Sequence, residues 1–371
     1  MKYLMLVCEG MAGEPVEELG SRTPLELAKI PNINFLAKKG RVGRASFIPH
    51  SLAATADVAA LSLLGFDPQE FYTGIAPLEA AAMGIPQDDT EIAFRCDLVT
   101  VLDDVLVDTS ASHISPNESR LLVEELNKKL SNDKLRFYPG EGHKNILLIR
   151  DAEKADRLDE LECASPKSLI GKSFAKHLPK GEEASLLRDL MDRSREILEN
   201  HEINRVRIDL GENPANRIWP WGQGKRPKMP AFEQRFGIRG SVVSQTDFVV
   251  GLGKLLGLQM AENIETCLNN GEFAFMYKDA GEAGLIKNNL KSKIKLIEEF
   301  DSKIISQAVK LAERFKDLKI LIATDQGQAA FLLSGYGIKP EEASGLNEKS
   351  ASQSKLVFEE GHQLMEFFLR K

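Results

Sequence analysis

The sequence predicts an α/β fold: a doubly wound core carrying an inserted α+β cap domain. Three observations predict it. Short, continuously apolar runs alternate with helical stretches toward both ends of the chain. A middle segment abandons that alternation. Three of the apolar runs end on a carboxylate, which in an open α/β sheet lies at the edge where ligands bind.

The first run, Tyr3 to Cys8, stops at Glu9-Gly10 and reads as a fully buried parallel strand. Leu25 to Lys39 reads as a helix closed by Gly40, and Val58 to Leu64 as a second helix. Further strands are expected at Val242 to Val250, Phe273 to Tyr277 and Ile320 to Ala323. Between the last two, Ile286 to Phe315 reads as one long helix, with Leu290, Ile294, Ile297, Ile304, Val309, Leu311 and Phe315 mostly three or four residues apart. The middle contains extended stretches at Glu91 to Val101, Val105 to Asp108 and Leu135 to Ile149, with helices at Pro116 to Leu130 and Glu183 to Asn200. The expected division is a core of 1–90 and 206–371 with a cap of 91–205.

Composition bounds the function. With 371 residues, 43% of them hydrophobic and 28% charged, the chain is an ordinary globular one of about two domains. The net charge of −7 and the lack of a long cationic run argue against nucleic-acid binding. The longest apolar stretch, Phe248 to Met260, is interrupted by Lys254 and falls short of the roughly 20 residues a membrane span needs, so no membrane anchor is expected. Cys8, Cys96, Cys163 and Cys267 show no C-x-x-C spacing, and the N-terminus lacks a cationic leader, so reduced thiols and a cytoplasmic location are expected.

Glu9, Asp279 and Asp325 end the strands and are candidate ligands for a divalent cation; solvated loop carboxylates or helix caps are the structural alternative. Ser51 or Thr55 precedes an apolar helix and is either its cap or a nucleophile near a helix N-terminus. Gly222-Gln223-Gly224-Lys225-Arg226 is a phosphate clamp or a solvated turn. The six histidines form no pair with zinc spacing.

These residues also carry a resemblance. Glu9 to Gly13, Glu18 to Glu26, Leu61 to Pro68, Ala93 to Asp97, Gly211 to Asn216, Trp221 to Lys225 and Phe358 to His362 together resemble the archaeal-type cofactor-independent phosphoglycerate mutases, in particular their bacterial, homoserine-kinase-related branch. The resemblance implies an alkaline-phosphatase-like core with two divalent metals (manganese, cobalt, zinc or magnesium) and a serine that is transiently phosphorylated. It also implies a cap closing over 3-phosphoglycerate, and interconversion of 3- and 2-phosphoglycerate in glycolysis. Substrate contacts carry over to Asp57, Arg95 and Lys225.

The metal and nucleophile positions do not carry over intact. The resemblance puts the family's first-site aspartate at Glu9, its nucleophilic serine at Ala56 and its Asp-His pair at Asp325-Gln326. The second-site motif Asp-Glu-Ala-Gly-His stands as Gly281-Glu282-Ala283-Gly284-Leu285, and a His-x-x-Asp-Pro loop after Asp325 is missing. Gly281, Leu285 and Gln326 are thus lost ligand positions, while Asp279 and Glu282 are substitutes and Thr55 a replacement nucleophile. Of seven positions, one is identical, one is a conservative change and five have lost the side chain the chemistry needs. One weak metal site or none is expected, and a phosphorylated small molecule is the expected ligand. Two readings follow: a catalytically degenerate homologue acting by binding or regulation, and an active mutase or phosphotransferase on a reduced metal site.

Overall fold

The computed structural model describes residues 1–17, 20–279, 290–325, 328–341 and 345–370. They fall into two compact units, one formed by 1–72 and 228–371 and the other by 73–227.

The strands in chain order are β1 (Lys2–Cys8), β2 (Gly40–Ser46), β3 (Glu91–Leu102), β4 (Val105–Asp108), β5 (Leu135–Tyr138), β6 (Lys144–Arg150), β7 (Arg217–Gly224), β8 (Gly240–Val243), β9 (Gln259–Met260), β10 (Phe273–Lys278), β11 (Leu318–Ala323), β12 (Gln328–Gly335) and β13 (Val357–Phe358). The first unit holds an eight-stranded sheet in the order β13-β2-β12-β11-β1-β10-β8-β9. Its pairs are parallel except those of β12, which runs antiparallel to both β11 and β2.

β1 is central and covered on both faces, which is why it reads as an unbroken apolar run. Leu4, Leu6 and Cys8 face a layer that includes Ile33, Ile297 and Leu311. On the other side Tyr3 packs edge-on against Phe368, and Phe273 of β10 stacks on Phe232 at 4.7 Å. Each such side chain, fully buried, contributes about 1.5–3 kcal/mol. The fold is therefore an α/β core with an α+β unit inserted into its chain, the architecture that the family resemblance implies.

Several local expectations are corrected. Leu25 to Lys39 is two helices, Pro24–Leu27 and Pro31–Ala37, because Pro31 cannot donate the hydrogen bond that would continue the first. The apolar run Val242 to Val250 is strand only to Val243 and helix from Asp247 to Leu255, a case where apolar character without periodicity does not tell the two apart. Of the long helix expected from Ile286, the described part is Leu290–Phe300, a π-helical turn Asp301–Ile305 and Ser306–Arg314. The five-residue step from Ile304 to Val309 is the irregularity that such a turn absorbs. The turn also presents buried Asp301 to the next layer, where its carboxylate accepts the N–H groups of Asn32 and Ile33 and caps a helix whose own N-cap, Ile30, has no acceptor side chain.

The second unit holds an antiparallel sheet in which β3 pairs with β4, β6 and β7, and β6 with β5. Leu135 to Ile149 is thus a hairpin, not one extended stretch. Ile92, Phe94, Cys96 and Leu98 of β3 face the helices Pro116–Leu130 and Ala184–Glu199. The alternate face carries Ala93 against Ala76 and Ala80 of the helix Ile75–Ala82. That helix and β7 place residues 73–90 and 206–227 in this unit, so the division lies at 72/73 and 227/228, not at 91 and 205 as expected from the sequence. Arg217–Gly224 is a strand of the inserted sheet, not part of the core that was expected to resume at residue 206.

Candidate functional site

The carboxyl edge of the first unit's sheet gathers acidic side chains because neighbouring parallel strands end level. Val7 pairs with Ala323 and Cys8 with Lys278, so Glu9, Asp279 and Asp325 follow at matching heights. Gly10 sits at φ 66°, a left-handed conformation glycine adopts without strain, and this turns its N–H onto Asp325 Oδ1 at 3.0 Å. The Tyr277 hydroxyl donates to Asp325 Oδ2 at 3.2 Å. Asp325 is fully buried and Glu9 nearly so, while Asp279 is exposed.

Burial raises the Asp325 carboxyl above its usual range, opposed by the Gly10 N–H, the Tyr277 hydroxyl and the charge of Lys293. The Tyr277 hydroxyl is pushed up by burial first and then by the charges of Asp325, Glu9 and Asp279. The same cause holds the Cys8 thiol up, so it is an inert core sulfur. All four cysteines are free.

The turn after Glu9 is braced from two sides. Lys293 donates its ammonium to the Ala12 carbonyl, and Glu348 accepts the Gly13 N–H at 3.0 Å and the Thr23 hydroxyl at 2.7 Å. A Cβ on Gly13 would meet Pro24 Cδ at 3.0 Å and Lys293 Nζ at 3.1 Å, so a larger residue would require these neighbours to shift. Sequence reasoning missed Lys293 and Glu348. Both belong to amphipathic or polar stretches whose inward residues look like any solvated face.

The helix Ala56–Leu63 starts at the residue where the resemblance expects the nucleophile. Ala56 carries a methyl there. Thr55, the N-cap, is exposed and its hydroxyl makes no capping bond, while Asp57 is buried and accepts the Tyr72 hydroxyl. Ser51 accepts a hydrogen bond from Gln69 Nε2 at 2.8 Å.

The other two expected substrate contacts belong to the second unit. Arg95 is buried, with Nε on Asp97 Oδ1 at 2.8 Å, an NH1 group on Glu79 Oε1 at 3.1 Å and its guanidinium 5.0 Å from the Trp221 ring. Trp221 Nε1 donates to Asp97 Oδ2 at 2.9 Å and closes the set. Lys225 pairs with exposed Asp156, which raises its ammonium, and its carbonyl accepts the Thr73 hydroxyl at 2.6 Å. The loop after Asp108 is closed on itself. Asp108 accepts the N–H groups of Ser110 and Ser112 and the side chains of Ser110 and Asn213, and Ala111, Ser112 and His113 all have left-handed φ.

Gly281, Glu282, Leu285 and Gln326 lie outside the described residues. Among the described residues no group of three or more His, Cys, Asp or Glu side chains is arranged to hold a metal ion. Glu9 and Asp325 supply two carboxylates, and both Asp325 oxygens already accept protein donors.

The sheet order, the inserted α+β unit and the carboxylate edge define a member of the alkaline-phosphatase-like class. The family model for 2,3-bisphosphoglycerate-independent phosphoglycerate mutase matches residues 37–204. The chain is 34% identical to the 2,3-bisphosphoglycerate-independent phosphoglycerate mutase of Methanothrix thermoacetophila, with all of both chains covered. It is 37% identical to the one of Methanosarcina barkeri over 84% of this chain and 82% of that one. Among solved structures, the PH0037 protein from Pyrococcus horikoshii superposes with a TM-score of 0.79 at 22% identity, covering 99% of this chain and 96% of that one. The cofactor-independent phosphoglycerate mutase from Thermoplasma acidophilum gives 0.65 at 22% identity, covering 100% and 99%. The chain belongs to the archaeal-type 2,3-bisphosphoglycerate-independent phosphoglycerate mutase family.

Proposed function

We propose that this chain is a phosphoglycerate mutase homologue that has lost the mutase reaction and acts by binding a phosphorylated small molecule or by regulation, in the cytoplasm. One observation carries the reading: the first residue of the helix Ala56–Leu63, where the family resemblance expects the phosphate-accepting serine, has only a methyl group. A covalent phosphoryl transfer needs an oxygen there, and metal-dependent chemistry of this family needs ligands that Glu9 and Asp325 alone do not supply. The pairing of Arg95 with Glu79 and Asp97 and the hydrogen-bonded Asp108 loop support the same reading, since both engage polar groups inside the second unit. No helix among the described residues is long and apolar enough to cross a membrane.

A second reading has two observations in its favour. The Thr55 hydroxyl is exposed and free of any capping bond, and the buried Thr324 hydroxyl beside Asp325 has no hydrogen-bond partner among the described residues. Thr55 would then replace the serine, with a single ion on Glu9, Asp325 and either Asp279 or Glu282. The variants Ala56→Ser and Thr55→Ala separate the readings when assayed for conversion of 3- to 2-phosphoglycerate with manganese or cobalt. Under the first, Ala56→Ser stays inactive because one restored group in an incomplete unit recovers almost nothing. Turnover by the unmodified chain that Thr55→Ala abolishes supports the second and overturns the first.

A further inference from the structure

The second unit carries an apolar face open to solvent. Val206 and Ile208 of the helix Glu202–Asp209 are 49% and 57% exposed, and Leu210 at its C-cap is 71% exposed. Leu121 of the helix Pro116–Leu130 is 43% exposed and, with Ile203 and Val206, lines a groove of about 400 Å³. Apolar side chains gathered in this way, unlike scattered ones, mark an interaction surface. We infer that this face seats a second copy of the same chain, in a two-fold symmetric dimer in which the helix Glu202–Asp209 crosses its own counterpart antiparallel. The inference is independent of the chain's activity.

The inward side of the helix is fixed, and that fixes what faces out. Asn204 is buried, and its amide donates to the Leu198 and Ala215 carbonyls at 2.8 and 2.9 Å. Arg207 is buried too and pairs with Glu118 at 2.8 Å and Glu212 at 3.0 Å. With 3.6 residues per turn, Glu202, Val206, Asp209 and Leu210 then lie on the side away from these two, with Arg205 on the flank. His201 Nδ1 accepts the Ile203 N–H at 3.2 Å and caps the helix, and burial pushes its imidazole below the ordinary range, so the cap stays neutral.

The charges select the occupant. The acids of the groove are already matched within the chain, Glu118 by Arg207, Glu124 by Arg120 and Glu125 by Lys128 and Lys129, so a strongly basic partner gains little there. On the exposed helix face, Glu202, Arg205 and Asp209 form no ion pair among the described residues. A fitting partner offers both signs of charge around an apolar centre, as this face itself does. Two copies crossing near Val206 bring the apolar side chains together and set Arg205 of each against the acids of the other. The result is an apolar core with a charged rim, and every contact occurs twice.

The test is the mass of the full chain in solution, by sedimentation velocity from micromolar to near-millimolar concentration. A concentration-dependent dimer is expected. Val206→Glu sets like charges together at the centre and is expected to weaken the dimer by about a hundredfold. Arg205→Glu in one chain, and Glu202→Lys with Asp209→Lys in another, each oppose like charges, so each chain alone is expected to be monomeric where the unmodified chain is dimeric. Mixed in equal amounts, the two are expected to form a mixed dimer, since every opposed pair then has opposite signs. The substituted side chains are exposed, so the unfolding midpoints are expected to change little, which separates lost pairing from lost folding. A monomer at every concentration overturns the proposal. So does a dimer that Val206→Glu leaves intact, or charge-inverted chains that pair no better together than alone.

Discussion

Replacing Arg95 by methionine removes a cation that pairs with two buried carboxylates. Asp97 is 2% exposed and Glu79 5%, and Arg95 reaches them at 2.8 and 3.1 Å while stacking 5.0 Å from Trp221. Methionine fills most of the same volume, so the loss is chiefly electrostatic. Asp97 keeps the Trp221 indole donor at 2.9 Å, but its charge and that of Glu79 lose the Arg95 guanidinium in a low-dielectric site. Breaking a buried pair in this way costs about 3–5 kcal/mol, a large part of the roughly 5–15 kcal/mol that holds a domain folded. Both tryptophans, Trp219 and Trp221, lie in the second unit, so intrinsic fluorescence during urea unfolding reports on that unit alone. Since Trp221 is itself touched by the change, buried Trp219 carries the signal. A loss under about 1 kcal/mol, the range typical of an exposed pair, would refute the claim that Arg95 is committed to this network and return it to the list of residues free to bind substrate.

Asp108→Asn is expected to remove a pH-dependent part of the second unit's stability. Burial raises this carboxyl, but the hydrogen bonds from Asn213, Ser110 and Ser112 outweigh it and bring it down to about 2. The stabilisation is therefore full above the ordinary carboxylate range and lost as pH falls toward about 2, so unfolding curves of the two proteins should differ most at pH 5 to 6, on the order of that upper plateau, and converge in strong acid. Asp301→Ala leaves the N–H groups of Asn32 and Ile33 without their cap and is expected to cost the first unit about 1–3 kcal/mol, read by circular dichroism on urea unfolding; an unchanged midpoint would show that the π-helical turn has no capping role.

The strands that carry the site were legible because burial on both faces leaves a distinctive mark: β1, β10 and β11 are unbroken apolar runs ended by Glu9, Lys278-Asp279 and Thr324-Asp325. Their pairing was not legible. The sequence does not reveal that β12 inserts antiparallel between β11 and β2, since Ala329 to Leu333 is as apolar as its parallel neighbours. The inserted unit's edges were misplaced for a related reason. β7 contains Trp219, Pro220 and Gly222, which read as a turn-rich connection, yet it forms a long antiparallel pairing with β3. Substitutions such as Ala56 are visible in a sequence once a resemblance supplies the expected residue. What surrounds them is set by contacts between distant segments: Arg95 against Glu79, Lys293 against Ala12.

The most direct measurement of the central claim is phosphorus NMR of 3-phosphoglycerate incubated with a high concentration of the unmodified chain and manganese, long enough to detect very slow conversion. The 3-phosphoglycerate resonance is expected to persist with no 2-phosphoglycerate growing in, because Ala56 offers no oxygen for the phosphoryl group. Steady, manganese-dependent growth of 2-phosphoglycerate to its equilibrium share would contradict it.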